Sequence, residues 1–217
     1  MIKENFQNIL SQLPPGVELV AAAKERSVDE IKAAISAGAR IIGENYVKEA
    51  KDKVAVVGRD VKWHLIGHLQ KNKAKAAVGI FDMIETLDSL ELAGILDQEC
   101  KRINKFMPVL IEVNSAGELQ KAGILPEAAE KFLKQILVFS NLKPMGLMTM
   151  GPWLDDVEGL RPYFKKTKDS FEQIKKTYGS KLDWRYLSMG MSSSWKVAVE
   201  EGTNLVRIGT AIFGERR

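Results

Sequence analysis

A chain of 217 residues, 45% hydrophobic and 28% charged, has the composition of a globular protein long enough to bury a sizeable core, which excludes disorder as a description of the whole. Lys and Arg number 32 against 28 Asp and Glu, and the resulting net charge of +4 is too small an excess to mark a nucleic-acid binder. One cysteine and two histidines exclude a disulfide framework and a Cys/His zinc site, so no metal is expected. In chain order, an opening helix over 2–13 is stopped by Pro14, Pro15 and Gly16, and the first strand is read at 18–24. A helix over 28–37 has Ser27 as its N-cap, Glu30 in the capping-box position and Gly38 just past its end. The second strand, 39–45, leads into a helix ending near 56; the third, 62–67, into a helix over 70–78; the fourth, 83–87, into a helix over 89–104. The fifth strand is 107–114, with a loop before a helix over 126–137. A sixth strand at 143–148 precedes a long helix over 155–178, in which Pro162 is a candidate interruption. The seventh strand, 184–188, is followed by a helix over 192–201 closed by Gly202, and the eighth is 204–209.

Eight short apolar runs, each separated by a helix, predict a parallel α/β sheet closed into a (β/α)8 TIM barrel with an extra N-terminal helix. The alternative is an open doubly wound sheet, disfavoured because no Gly-rich dinucleotide fingerprint follows the first strand. No linker, internal repeat or low-complexity stretch appears, so residues 1–217 are read as one domain. The start MIKENFQNIL lacks the form of a signal peptide, and no segment approaches 18 consecutive apolar residues. A cytoplasmic monomer without nucleic-acid or membrane partners is therefore expected.

In such a barrel, function gathers at the carboxyl ends of the strands. Read there, the sequence offers Lys24, Glu44 with Asn45, His64, Asn114, Ser188, Arg207, Gly209 and Thr210. Parity with Val20 and Ala22 turns Lys24 toward the barrel axis, although a lysine snorkelling past the rim is an equal reading. A partly desolvated lysine loses its proton more easily and attacks aldehydes, which suits a sugar-phosphate aldolase or attachment of pyridoxal 5′-phosphate (PLP). The segments LSMGMSSSWK and VRIGT resemble a phosphate cradle, with Gly190 allowing close approach, Ser188 and Ser192 supplying hydroxyls, Ser192 to Ser194 opening a helix, and Gly209 and Thr210 adding donors. Helix capping alone would also account for the serines. Arg207 must find either a ligand atom or a barrel carboxylate such as Glu85 or Glu112. His64 is as readily a satisfied core histidine as a ring-stacking residue, and Cys100 reads as packing.

The stretches LVAAAKERSVDEIKAAISAGARIIGENYVKEAKDK, WHLIGHLQKNKAK, IEVNSAGELQKAGI, GLMTMG and LSMGMSSSWKVAVEEGTNLVRIGTAIFGER together resemble the pyridoxal phosphate homeostasis proteins, in order and over nearly the whole chain. The resemblance implies a barrel like the N-terminal domain of alanine racemase and PLP held as a Schiff base on Lys24. It also implies that Arg207 meets the pyridine nitrogen, that Ser188, Ser192, Gly209 and Thr210 serve the phosphate, and that Asn45 and His64 lie near the cofactor. The sequence departs from the family pattern around the lysine, in AAAKERS, and at MTMGPW. The implied function is vitamin B6 homeostasis, buffering PLP or delivering it to PLP-dependent apo-enzymes, without catalysis. A PLP-dependent amino-acid racemase is the alternative; the chain stops soon after the eighth strand, and its four tyrosines are not expected at the strand tips. An aldolase would need an inward proton relay, for which only Glu44 is a candidate.

Overall fold

A computed structural model describes residues 1–215 of the chain. Eight parallel strands run in sequence order and close on themselves: β1 (Glu18–Ala22), β2 (Ile41–Glu44), β3 (Lys62–Leu65), β4 (Met83–Leu87), β5 (Met107–Glu112), β6 (Leu142–Met148), β7 (Tyr186–Ser188) and β8 (Leu205–Ile208). The helices are α1 (Ile2–Gln12), α2 (Val28–Ser36), α3 (Val47–Val57), α4 (Ala74–Ile80), α5 (Leu90–Arg102), α6 (Ala129–Ile136), α7 (Arg161–Tyr178), α8 (Trp195–Glu200) and α9 (Thr210–Phe213). The (β/α)8 barrel with its extra N-terminal helix is the one the alternation predicts.

Local sequence explains most boundaries. Ser27 caps α2 with a full capping box: its hydroxyl accepts from the Glu30 N–H, and the Glu30 carboxylate accepts from the Ser27 N–H. Pro162 does not interrupt a helix, contrary to the expectation. It stands in the first turn of α7, after a short 3-10 turn, where its missing N–H has no helical partner to lose. The helix expected from Ser192 begins only at Trp195, and the short α9 was not foreseen.

Two apolar clusters divide the core. The larger fills the space between the sheet and the helix ring, with Cys100 inside it; burial pushes that thiol up to about 11, as befits a packing residue. The smaller comprises Val20, Ile41, Ile66, Met83, Leu110, Met145, Met148, Tyr186 and Leu205, contributed by every strand wall of the barrel interior. Closure there depends on glycine. At Gly146, beside the β5–β6 irregularity, a Cβ would stand 1.7 Å from the Tyr186 carbonyl oxygen; at Gly43 it would lie 2.6 Å from Val20 Cγ1. No helix among the described residues is long and apolar enough to cross a membrane.

Candidate functional site

Strand alternation places a polar layer directly above the apolar interior, toward the carboxyl ends. His64, Glu85, Glu112, Ser188 and Arg207 lie two residues on from, or at the register of, the inward apolar residues, and all five are buried. Glu85 organises four of them. One carboxylate oxygen meets His64 Nδ1 at 2.8 Å, and the other accepts from the Ser188 hydroxyl at 2.7 Å. Arg207 donates to Ser188 Oγ at 2.5 Å and to the Thr149 carbonyl at 2.9 Å, with Met150 Sδ 3.9 Å away. Burial alone would raise the Glu85 carboxyl, but His64, the Arg207 charge and the Ser188 hydroxyl outweigh it and hold the group below its ordinary value. Burial lowers the Arg207 guanidinium, offset in part by Glu85 and Glu112. Arg207 therefore reaches Glu85 through Ser188 and makes no ion pair of its own with either carboxylate. Glu112 is the exception to the satisfied layer. Its Oε2 has no hydrogen-bond partner among the described residues, and burial, reinforced by the nearby Asp88 charge and opposed by Arg207, pushes the carboxyl up to about 7.

Lys24 lies two residues beyond β1, half-buried, and its ammonium makes no hydrogen bond or ion pair among the described residues. The start of α9 packs against the same strand end: a Cβ on Gly209 would stand 3.2 Å from the Ala22 carbonyl oxygen. That contact sets the loop after β8 against Ala22, two residues before Lys24. Ser192 does not cap a helix. Its hydroxyl accepts from the Gly209 and Ala211 N–H groups, at 3.1 and 3.2 Å, and so ties the loop after β7 to the start of α9. The Thr210 N–H and hydroxyl at that junction have no partner among the described residues. Gly190 has a φ of +89°, and a Cβ there would meet Ala198 Cβ at 2.7 Å, so the loop after β7 closes onto α8 only with glycine.

Other residues read from the sequence fall differently. Asn45 is half-buried at the end of β2, where the absence of a Cβ on Gly67 lets the next loop pass against its backbone. Asn114 spends its side chain on its own loop, donating to the Glu118 carbonyl and accepting from the Glu118 N–H. Ser188 lies wholly inside the buried layer. Glu44, the candidate inward relay, points the other way. It is paired with Lys53 of α3 at 2.8 Å, outside the barrel wall, because parity with the inward Gly43 turns it out; the inward carboxylates are Glu85 and Glu112. Tyr46 does stand at a strand tip, exposed at the start of α3. Sequence reading missed Lys53, Glu49, Arg26 and Thr149, since nothing in a helix-period charge or a loop threonine signals burial. An open hollow of about 440 Å³ lies elsewhere, beside His68, Asp88 and Ser89. No group that could hold a metal ion occurs among the described residues.

Over residues 1–217 the sequence matches the family described as alanine racemase, N-terminal domain. The pyridoxal phosphate homeostasis protein of Aquifex aeolicus is 39% identical over 201 residues, covering 92% of this chain and 87% of its own. The chain belongs to the pyridoxal phosphate homeostasis protein family. Among solved structures, PipY of Synechococcus elongatus PCC7942 without PLP is 35% identical with a TM-score of 0.92, covering 99% of this chain and 100% of that one. PipY with PLP bound is 34% identical with a TM-score of 0.90 over the same shares. Alanine racemase of Clostridium difficile 630, at 15% identity and a TM-score of 0.81, shares the fold over 99% of this chain and 56% of its own.

Proposed function

We propose that this protein binds PLP at the carboxyl-end face of the barrel and serves vitamin B6 homeostasis, holding the cofactor covalently on Lys24 and buffering or delivering it. The observation that carries the reading is that a half-buried lysine with no partner among the described residues follows the strand end against which the Gly209–Thr210 junction, with its unspent donors, is packed. PLP supplies an aldehyde that a lysine amine can bond and a phosphate that backbone and hydroxyl donors can hold.

The residues fit those two demands. The Lys24 amine is not committed to any carboxylate among the described residues. Thr210 offers an N–H and a hydroxyl to the phosphate, Gly209 admits it by lacking a side chain, and Ser192 steadies the loop that carries them. Arg207 is assigned to the pyridine nitrogen. A guanidinium keeps its protons, so it donates there and leaves that nitrogen unprotonated, a poor arrangement for stabilising a carbanion. Ser188 holds Arg207 in place from beneath, and His64, bonded to Glu85, and Asn45 border the ring's side of the site. This arrangement favours a binding protein over a racemase. Delivery to PLP-dependent apo-enzymes, a cytoplasmic location and a monomeric state extend the reading from the sequence.

The test is to mix the protein with PLP, reduce with borohydride and map the peptides. Lys24 should carry the adduct; a label on another lysine overturns the assignment. Pyridoxal, lacking the phosphate, should bind orders of magnitude more weakly, because each charge-assisted hydrogen bond contributes about 1.5–3 kcal/mol. With L-alanine in deuterium oxide, no α-proton exchange at enzymatic rates, roughly 1 per second or faster, is expected; such exchange, lost in Lys24→Ala, would establish the racemase.

A further inference from the structure

Lys24 lies on a short strap between the end of β1 and the start of α2, and both of its neighbours are gripped by one turn of α3. The Ala23 carbonyl accepts from Lys53 Nζ at 2.9 Å, while the Glu25 N–H donates to Glu49 Oε2 at 3.0 Å. Lys53 and Glu49, four residues apart on the helix, are bonded to each other at 3.1 Å, and Lys53 is held from the sheet side by Glu44 at 2.8 Å. Glu25 has a φ of +60°, a left-handed conformation that a residue with a Cβ keeps only where its surroundings over-determine it. That bend turns the chain out of the strand immediately after Lys24. Glu49 takes the N–H at the bend, and Lys53 takes the carbonyl before it.

The far end of the strap is fixed as well. Arg26 is buried, donates to the Gly214 and Glu215 carbonyls, and stacks over the Phe213 ring at 5.6 Å, which ties the strap to α9. The charged cluster sits in the layer between sheet and helix, where an apolar pair of similar volume would pack without the cost of burying ions. Its members instead spend their hydrogen bonds on the two peptide groups that flank Lys24.

We propose that Glu49 and Lys53 are positioning residues for Lys24, fixing where its amine stands relative to the Gly209–Thr210 junction. The inference rests on the reading of Lys24 as the attachment lysine. Without the two side chains the Glu25 N–H loses Glu49 Oε2 and the Ala23 carbonyl loses Lys53 Nζ, which loosens the strap between the Ala23 N–H bond to Gly43 and the Arg26 contacts. The amine then samples positions off the line to a bound aldehyde, and a misplacement of about 1 Å is enough to slow bond formation up to a hundredfold.

The experiment compares the full chain with Lys53→Met, Lys53→Arg, Glu49→Ala and, as an exposed control on the same helix, Lys51→Met. Three quantities are read: the rate at which PLP plus borohydride labels Lys24; the rate at which acetic anhydride labels Lys24 in cofactor-free protein, relative to exposed Lys196; and the affinity for 4′-deoxypyridoxine 5′-phosphate, which has no aldehyde. Lys53→Met and Glu49→Ala should slow the PLP labelling of Lys24 on the order of tenfold and change its acylation ratio, with affinity for the aldehyde-free analogue within about twofold of the parent. Lys53→Arg should recover most of the rate, and Lys51→Met should match the parent. Glu49 is only half-buried on a helix surface, so Glu49→Ala remains informative if Lys53→Met does not fold. Parent-like labelling of Lys24 in the folded variants overturns the positioning role alone. Absence of a Lys24 label in the parent protein overturns both it and the function on which it rests.

Discussion

Two buried ionic clusters lie on opposite faces of the same barrel wall, and they meet the cost of burial in different ways. Inside, Glu85 is surrounded by His64, Ser188 and, through Ser188, Arg207, and these neighbours hold its carboxyl below the ordinary value despite complete burial. Outside, Lys53 is shared among Glu44, Glu49 and the Ala23 carbonyl, and Glu44 keeps one oxygen without a hydrogen-bond partner among the described residues. Burial pushes Glu44 up to about 7, with the Lys53 hydrogen bond and charge opposing and the Glu49 charge assisting. The inner cluster thus favours the ionised form of Glu85 beneath the proposed site. The outer one tolerates an uncertain charge on Glu44, because its product is the placement of a backbone segment. A buried ion pair contributes little net stability in either place; what differs is the group each cluster positions.

Removing the cation of each cluster should show the difference. Arg207→Met leaves Glu112 without its opposing charge, Glu85 with His64 and Ser188 alone, and the Thr149 carbonyl without its donor, and a loss of about 3–5 kcal/mol is expected, lowering Tm by roughly 2–4 °C for each kcal/mol in a chain of this length. Thermal melts of the cofactor-free protein give the value; a loss under about 1 kcal/mol would mean the inner layer is as loosely coupled as a surface pair.

Lys53→Met should cost less, about 3 kcal/mol at pH 8, and less still at pH 6. With Lys53 gone, Glu44 can escape its uncompensated charge by taking a proton, and protons are more available at low pH. The measurement is the difference in unfolding free energy between parent and variant at the two pH values, and a loss that grows toward pH 6 would contradict the outer arrangement.

Glu112→Gln sharpens the contrast within the inner layer, because Glu112 Oε2 is buried with no donor among the described residues. Its folded value of about 7 lies above the roughly 4.3 of an unfolded glutamate, so the folded state binds the extra proton between those values. Stability should therefore fall as pH rises from about 4.3 to about 7 and stay level above. Glutamine removes that penalty. The variant should match the parent near pH 4.5 and exceed it by a few kcal/mol at pH 8, as read from urea unfolding; equal stability at pH 8 would show that Glu112 is ionised without cost.

The smallest effect is expected at the junction the two clusters flank. Ser192→Ala removes the acceptor for two backbone N–H groups, Gly209 and Ala211, at about 1 kcal/mol of stability. Phosphate-dependent binding should weaken more than binding of pyridoxal, which titration of both ligands would resolve.

Much of this was legible in the residues. Alternating apolar strands and helix-period segments specify a (β/α)8 barrel because each strand buried on both faces must be covered by the helix that follows it. Parity along β1 offers an inward Lys24 beside an equal reading at the rim, and the Ser27–Glu30 box marks the start of α2 to the residue. Strand parity also contained the answer for Glu44: with Gly43 facing in, Glu44 must face out, and the chemical appeal of an inward carboxylate obscured that. Pro162 was ambiguous for a related reason, since a proline allowed in a first turn and a proline that breaks a helix read alike until the start of the helix is known.

What only the tertiary structure decided is which distant residues share a hydrogen bond. Glu85 and Ser188 are 103 positions apart, Arg207 and Thr149 are 58 apart, and Lys53 reaches 30 residues back to Ala23; no periodicity carries those distances. A sequence states the direction of each side chain through local geometry, but closure of the barrel sets which directions converge. That is why Lys24 is a candidate on the chain alone, whereas the two α3 side chains that hold its flanking peptides are visible only with β1, β2 and α3 packed together.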